Sequence, residues 1–147
     1  MGNESNFFYT KEAIKENLRK GGYVIAQRRS GKTTAILEYA RELSCQGKVV
    51  IVAAHDENVR QVMRNVYHST YGQDSRVDFV SSRKPFILYS YTWQLDCPQE
   101  KDLFILVDEA ELASEEFLKS IDSYTGLLTY AATLSCESIL RVKNIQW

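Results

Sequence analysis

Two short stretches hold side chains whose types and order could do chemistry on a phosphate chain. The first, AQRRSGKTT (Ala26 to Thr34), follows the apolar run Tyr23 to Ala26 and opens a segment with helical periodicity. A strand, a tight loop closing on Gly-Lys-Thr and a helix together make a cradle for a triphosphate. Backbone N–H groups of the loop and the positive end of the helix face the anion. The residues available to line such a cradle are Gln27, Arg28, Arg29, Ser30, Gly31, Lys32, Thr33 and Thr34. Lys32 is placed to reach the β- and γ-phosphates, and the Thr33 hydroxyl to ligate Mg²⁺. The pattern G-x-x-x-x-G-K-[ST] is met except at its first glycine, which is Ala26 here. By itself the tripeptide also fits a plain turn beside a helix start.

The second stretch is LFILVDE, Leu103 to Glu109: five apolar residues, then two adjacent carboxylates. A strand buried on both faces reads this way, with its acids emerging at the carboxyl end. Beside a triphosphate, Asp108 would hold the magnesium ion through water, and Glu109 would orient and deprotonate an attacking water. The bland alternative is a buried strand followed by acidic residues that favour a helix N-terminus. Both stretches in order, each at the end of an apolar strand, favour one joint site for ATP and Mg²⁺.

Composition sets the frame around these residues. The chain has 147 residues, enough for one domain with a real core, and the whole of 1–147 reads as a single unit. Apolar residues make up 44% and charged residues 25%, the proportions of an ordinary globular protein. No apolar run approaches the ~20 residues that span a bilayer, so no membrane partner is expected. The opening MGNESNFFYTKE lacks the basic-then-apolar pattern of a secretion signal. Cys45, Cys97 and Cys136 are scattered and odd in number, which suits reduced thiols in a cytoplasmic compartment. A net charge of −1 gives no case of its own for nucleic acid. Basic residues nevertheless gather at Lys11, Lys15, Arg19, Lys20, Arg28, Arg29 and Lys32, and acidic ones between Asp96 and Asp122. Part of that polarity follows from a phosphate site and a metal site, and the rest is expected to be solvated surface.

The elements that must position the two stretches can be laid out along the chain. Thr10 caps a short helix to about Lys20, with Ile14 and Leu18 on one face and Gly21-Gly22 at its end. Residues 32 to 45 carry Ile36, Tyr39, Ala40 and Leu43 at helical spacing, closed by Gly47. KVVIVAA, Lys48 to Ala54, is a fully buried strand. Val59, Val62, Met63, Val66 and Tyr67 then recur at three- and four-residue intervals, predicting an amphipathic helix whose stripe enters the core. Val77 to Val80 is a short strand, separated by Pro85 from FILYSY, Phe86 to Tyr91. Ser114 starts a helix with Phe117, Leu118 and Ile121 on one face and Glu115 and Glu116 in its first turn. LLTYAAT, Leu127 to Thr133, is the last strand. Alternating strands and helices predict an α/β fold with a mainly parallel sheet covered by helices on both sides.

In this order the motifs resemble the ATPase domain of large viral terminase subunits and the first nucleotide-binding domain of superfamily-two helicases. QRRSGKT carries the terminase likeness, because those motors often replace the first glycine and place arginines inside the loop. The helicase-wide likeness runs through AAHDEN (Ala53 to Asn58), ILYSYTWQL (Ile87 to Leu95), VDEAE (Val107 to Glu111) and YAATL (Tyr130 to Leu134). The resemblance implies a three-layer αβα P-loop NTPase of the RecA-like kind. It implies a Mg²⁺-dependent ATPase that powers DNA packaging or nucleic-acid translocation. It also implies that Arg28 reaches the γ-phosphate in cis as part of the catalytic set with Lys32 and Glu109. Arg29 is either a phosphate contact or a solvated loop cation. Thr133 either senses the γ-phosphate or is a β-branched strand end. His55 falls in a strand-to-helix loop as a surface or phosphate-contacting residue, with no ligand cluster around it for a metal.

Departures from the family pattern shape the remaining expectations. Ala131 stands where the coupling motif has Ser or Thr, and no upstream glutamine motif for adenine is evident. Phe7, Phe8 or Tyr9 could stack on the base or pack on the sheet. The sequence stops soon after its final strand, so a helicase-type closing arginine would come from an oligomeric neighbour or partner subunit. Slow turnover is therefore expected of the isolated chain. DNA is the family-level partner: Arg83-Lys84 with Tyr89, Tyr91 and Trp93 could follow a phosphate backbone, or those aromatics could be core or interface. If the chain is viral, the host cytoplasm is its compartment. Two other functions share the loop. One is a regulatory nucleotide-binding module with little hydrolysis. The other is a small-molecule kinase, for which Arg60 and Arg64 are the only candidates for an arginine lid.

Overall fold

Apolar runs without polar alternation need cover on both faces, and the central strands of this protein receive it. A computed structural model describes residues 10–26, 31–87, 103–124 and 129–135. Five strands, β1 (Gly22–Ala26), β2 (Val49–Ala54), β3 (Val77–Ser81), β4 (Leu103–Val107) and β5 (Thr129–Ser135), form one sheet in the order β1-β5-β4-β2-β3. Every pairing is parallel. The helices are α1 (Lys11–Leu18), α2 (Lys32–Cys45), α3 (Glu57–Tyr71) and α4 (Glu115–Asp122), with a short 3₁₀ turn at Ala110–Leu112.

All six residues of β2 are buried. Val50, Val52 and Ala54 join one apolar cluster with Ile14 and Leu18 of α1, Ile36 and Leu43 of α2 and Met63 and Tyr67 of α3. Val49, Ile51 and Ala53 point the other way, into a cluster with Phe117 and Ile121 of α4 and with Phe86. The period-two alternation thus splits one apolar strand between two cores, as a sheet with helices on both faces requires.

Local signals match the elements closely. Thr10 accepts a hydrogen bond from the Ala13 N–H and caps α1. Asp56 caps α3 through the Val59 N–H, and Ser114 caps α4 through the Phe117 N–H. β1 begins one residue earlier than expected, at Gly22, and β5 runs on to Ser135. Leu127 and Leu128 of the expected last strand lie outside the described residues, as do Phe7, Phe8, Tyr9, Tyr89, Tyr91, Trp93, Cys97 and Cys136. Phe86 is buried but not in a strand; its N–H donates to Ser120 Oγ, 2.8 Å away.

Two expectations are corrected. The α3 stripe does not enter the core as a whole: Met63 and Tyr67 are buried, while Val62 and Val66 are exposed. Their positions face away from the core, because α3 presents the edge Val59–Met63–Tyr67–Tyr71 to it, with Val59 and Tyr71 partly buried. The basic residues of α1 are also not simply solvated. Lys11 pairs with Glu38 at 2.7 Å, Lys15 with Glu38 at 3.0 Å and with Glu42 at 2.8 Å, and Arg19 with Glu42 at 2.9 Å. These pairs lash α1 to α2.

A carboxylate outside the sheet ties α2, α3 and the turn before β3 together. Asp74 accepts from Tyr67 Oη at 2.6 Å, from Ser44 Oγ at 2.7 Å and from the Arg76 N–H at 3.1 Å. Burial alone would push this carboxyl up, but those hydrogen bonds, with Arg41 nearby, hold it below the usual aspartate range. A depressed folded value means a contribution that is present above the unfolded value and lost as pH falls through the folded one. Asp74→Asn should therefore cost about 1–3 kcal/mol in urea unfolding at neutral pH. The gap between variant and wild type should shrink as the solution is acidified below the ordinary aspartate range.

Candidate functional site

Because all strands run the same way, their carboxyl ends share one edge of the sheet, where open α/β sheets hold ligands. Three of those ends carry the groups singled out in the sequence. β1 leads toward the Gly-Lys-Thr turn, β4 ends at Asp108 and Glu109, and β5, lying between β1 and β4, carries Thr133. Of the loop residues, Gln27, Arg28, Arg29 and Ser30 lie outside the described residues.

Gly31 starts α2 with φ 89°, in the left-handed region that glycine enters without strain. A Cβ placed there would also sit 3.2 Å from Lys11 Cβ, so α1 closes over this end of the loop. Lys32 is the first residue of α2 and is 7% exposed. Thr33 is exposed as a residue, yet its hydroxyl donates to Asp108 Oδ2 at 2.8 Å, across 75 positions of sequence. Thr34, the next residue along α2, is exposed.

Asp108 is only 2% exposed. Its other oxygen, Oδ1, accepts from Thr133 Oγ1 at 2.9 Å, and its N–H donates to the Ala53 carbonyl at 2.9 Å. The carboxylate is therefore held between two hydroxyls, one from α2 and one from β5. Burial pushes this carboxyl up; the hydroxyls of Thr33 and Thr133 and the charge of Lys32 pull it down, while Glu109 opposes them. A buried carboxylate whose charge is met mainly by hydroxyl dipoles is a group suited to a cation.

Glu109 follows with φ 51° and ψ 62°, and it is the one non-glycine residue with positive φ among the described residues. Backbone strain of this kind at a carboxylate is a pointer to function. Its N–H donates to Thr133 Oγ1 at 3.1 Å, so that hydroxyl serves both acids. Its Oε1 accepts from Ser135 Oγ at 3.3 Å, and its Oε2 lies 3.5 Å from His55 Nδ1.

The structure thus brings Thr33, Asp108, Glu109 and Thr133 to one place, with Lys32 close enough to act on Asp108. Thr133 is fully buried and spends its hydroxyl on the two acids. Sequence reasoning did not connect His55 or Ser135 with Glu109. The signal for His55 was the β2–β4 register: Ala53 pairs with Val107, and two further steps set His55 opposite Glu109.

Thr33 and Asp108 supply one hydroxyl and one carboxylate, the small protein share of ligands that Mg²⁺ takes when phosphates and water complete its shell. Among the described residues no group of three or more His, Cys, Asp or Glu side chains is arranged to hold a metal unaided. The residues present suit a phosphate-borne divalent ion. No protein-family model matches the chain, and no curated protein matches it either.

Replacing Asp108 by Asn keeps the shape and removes a charge that burial penalises. The nucleotide-free Asp108→Asn variant should melt a few degrees above wild type when followed by circular dichroism.

Proposed function

We propose that this chain is a P-loop, RecA-like ATPase domain of the terminase or helicase kind. It binds ATP with Mg²⁺ and hydrolyses it to drive DNA packaging or nucleic-acid translocation. The observation that carries the reading is the 2.8 Å contact between Thr33 of the Gly-Lys-Thr turn and buried Asp108. Coincidence of motifs in sequence would not require their side chains to meet; a joint phosphate and metal site does. The position of β5 between β1 and β4 adds support, because it sets Thr133 against both acids.

In this reading Lys32 would neutralise the β- and γ-phosphates, and Mg²⁺ would be held by the Thr33 hydroxyl and, through water, by Asp108. The ion supplies charge neutralisation and alignment of the phosphate chain. Glu109 orients the attacking water and takes its proton. Thr133 keeps the two acids in register and couples to the nucleotide through Asp108. An arginine completes the charge balance, either Arg28 in cis or one from a neighbouring subunit, and turnover by the isolated chain is slow. A kinase is less well supported: Arg60, half of the proposed lid, donates to Glu57 at 2.9 Å and to the Phe79 carbonyl at 3.4 Å.

Nucleotide affinity measured with a fluorescent ATP analogue, together with phosphate release, tests this. Lys32→Ala should abolish binding, and Thr33→Ala should remove its dependence on Mg²⁺. Glu109→Gln should keep binding and lose about 10²-fold or more in turnover. Turnover unchanged in Glu109→Gln would support a regulatory binding module instead.

A further inference from the structure

We propose that His55 is the positioning residue for Glu109, held in place in turn by Arg83. The inference rests on the reading of Glu109 as the group that activates water. A glutamate has three rotatable bonds, and freezing such a side chain costs up to about 2 kcal/mol. A base that must meet a water at one spot needs neighbours to hold it there. Ser135 holds one oxygen of Glu109, at 3.3 Å. Facing the other oxygen, 3.5 Å away, is His55 Nδ1. That nitrogen is buried and has no hydrogen-bond partner among the described residues.

The imidazole is not free to leave. Its Nε2 lies 3.5 Å from Asp56 Oδ2, and Asp56 is itself tied to the N-terminus of α3 through the Val59 N–H at 2.8 Å. The His55 carbonyl accepts from Arg83 Nε at 2.7 Å. Arg83 stands just beyond β3, so the backbone that carries the ring is held from the turn after β3, while Asp56 at the start of α3 bounds the ring itself. A buried polar atom left unpaired at 3.5 Å from a strained carboxylate is a contact one small movement short of forming. With its proton on Nδ1 the ring donates toward Oε2 across this gap in the nucleotide-free chain; a neutral imidazole has only that one N–H, so Asp56 bounds the ring without accepting from it.

His55 acts on turnover without touching nucleotide, which separates it from a binding residue. His55→Ala should lower kcat for ATP hydrolysis about 10- to 100-fold while leaving KM and the separately measured nucleotide Kd within about twofold. His55→Asn places an amide nitrogen near the position of Nδ1 and should recover most of the loss; His55→Gln places it near Nε2 and should not. Loss of kcat and affinity together, an unchanged kcat, or equal rescue by Gln would each overturn the proposal. If His55→Ala does not fold, Arg83→Ala should give a smaller loss of the same kind, and no loss would count against it.

A readout without turnover uses ¹⁵N-labelled imidazole in the nucleotide-free chain, whose two histidines are His55 and His68. Glu109→Gln should shift the His55 Nδ1 resonance and leave His68 unmoved; an unmoved His55 resonance overturns the contact itself. A wild-type chain that shows this shift yet never hydrolyses ATP would keep the contact. It would overturn the ATPase reading, and the positioning role with it.

Discussion

A buried carboxylate clasped between two hydroxyls is the constraint on which this edge of the molecule depends. Asp108 can remain in the interior only because Thr33 and Thr133 each give it a hydrogen bond. Those donors come from α2 and β5, which are remote in sequence and are joined only through the sheet. The order β1-β5-β4-β2-β3 is what delivers them. With β5 between β1 and β4, the hydroxyl of Thr133 and the start of α2 reach Asp108 from opposite sides. Stability and chemistry pull against each other here, because the charge that burial penalises is the one a metal would need.

Glu109 shows the same tension in the backbone. A non-glycine residue in the left-handed region costs on the order of 1 kcal/mol or more, and it persists where the surroundings over-determine it. Here they do: the Glu109 N–H is held by Thr133, and the adjacent Asp108 N–H by Ala53. The turn swings the carboxylate off the strand axis toward Ser135 and His55. Strand, hydroxyl and strained turn thus act as one device that sets two acids side by side, with Thr133 Oγ1 bonded to the carboxylate of one and the N–H of the other.

Much of this was legible from residue types, and what was not has a common cause. VVIVAA and LFILV announce strands buried on both faces, since no polar residue interrupts them. Thr10, Asp56 and Ser114 cap helices by a mechanism confined to three or four neighbouring residues. Strand order is not local, so nothing in AAHDEN reveals that β2 lies against β4 and brings His55 opposite Glu109. Ser135 was missed for the same reason. The α3 stripe misled in the other direction: Val62 and Val66 keep the helical period, but period reports a face without saying how wide the core is.

Charge was the least transferable signal, and α1 shows why. Its cations lie close in sequence to a phosphate-type loop, which invites the thought that they serve an anion. In the folded chain Lys11, Lys15 and Arg19 each meet Glu38 or Glu42 on α2. Exposed pairs of this kind contribute little singly, but Lys15 is largely buried and shares both glutamates, which makes the set a network. Its effect is geometric. By fastening α1 along α2, the network keeps Lys11 against Gly31, at the point where the loop becomes helix. The cations therefore influence a ligand through the backbone that α1 presses upon, and their fields are spent on glutamates before any phosphate could meet them.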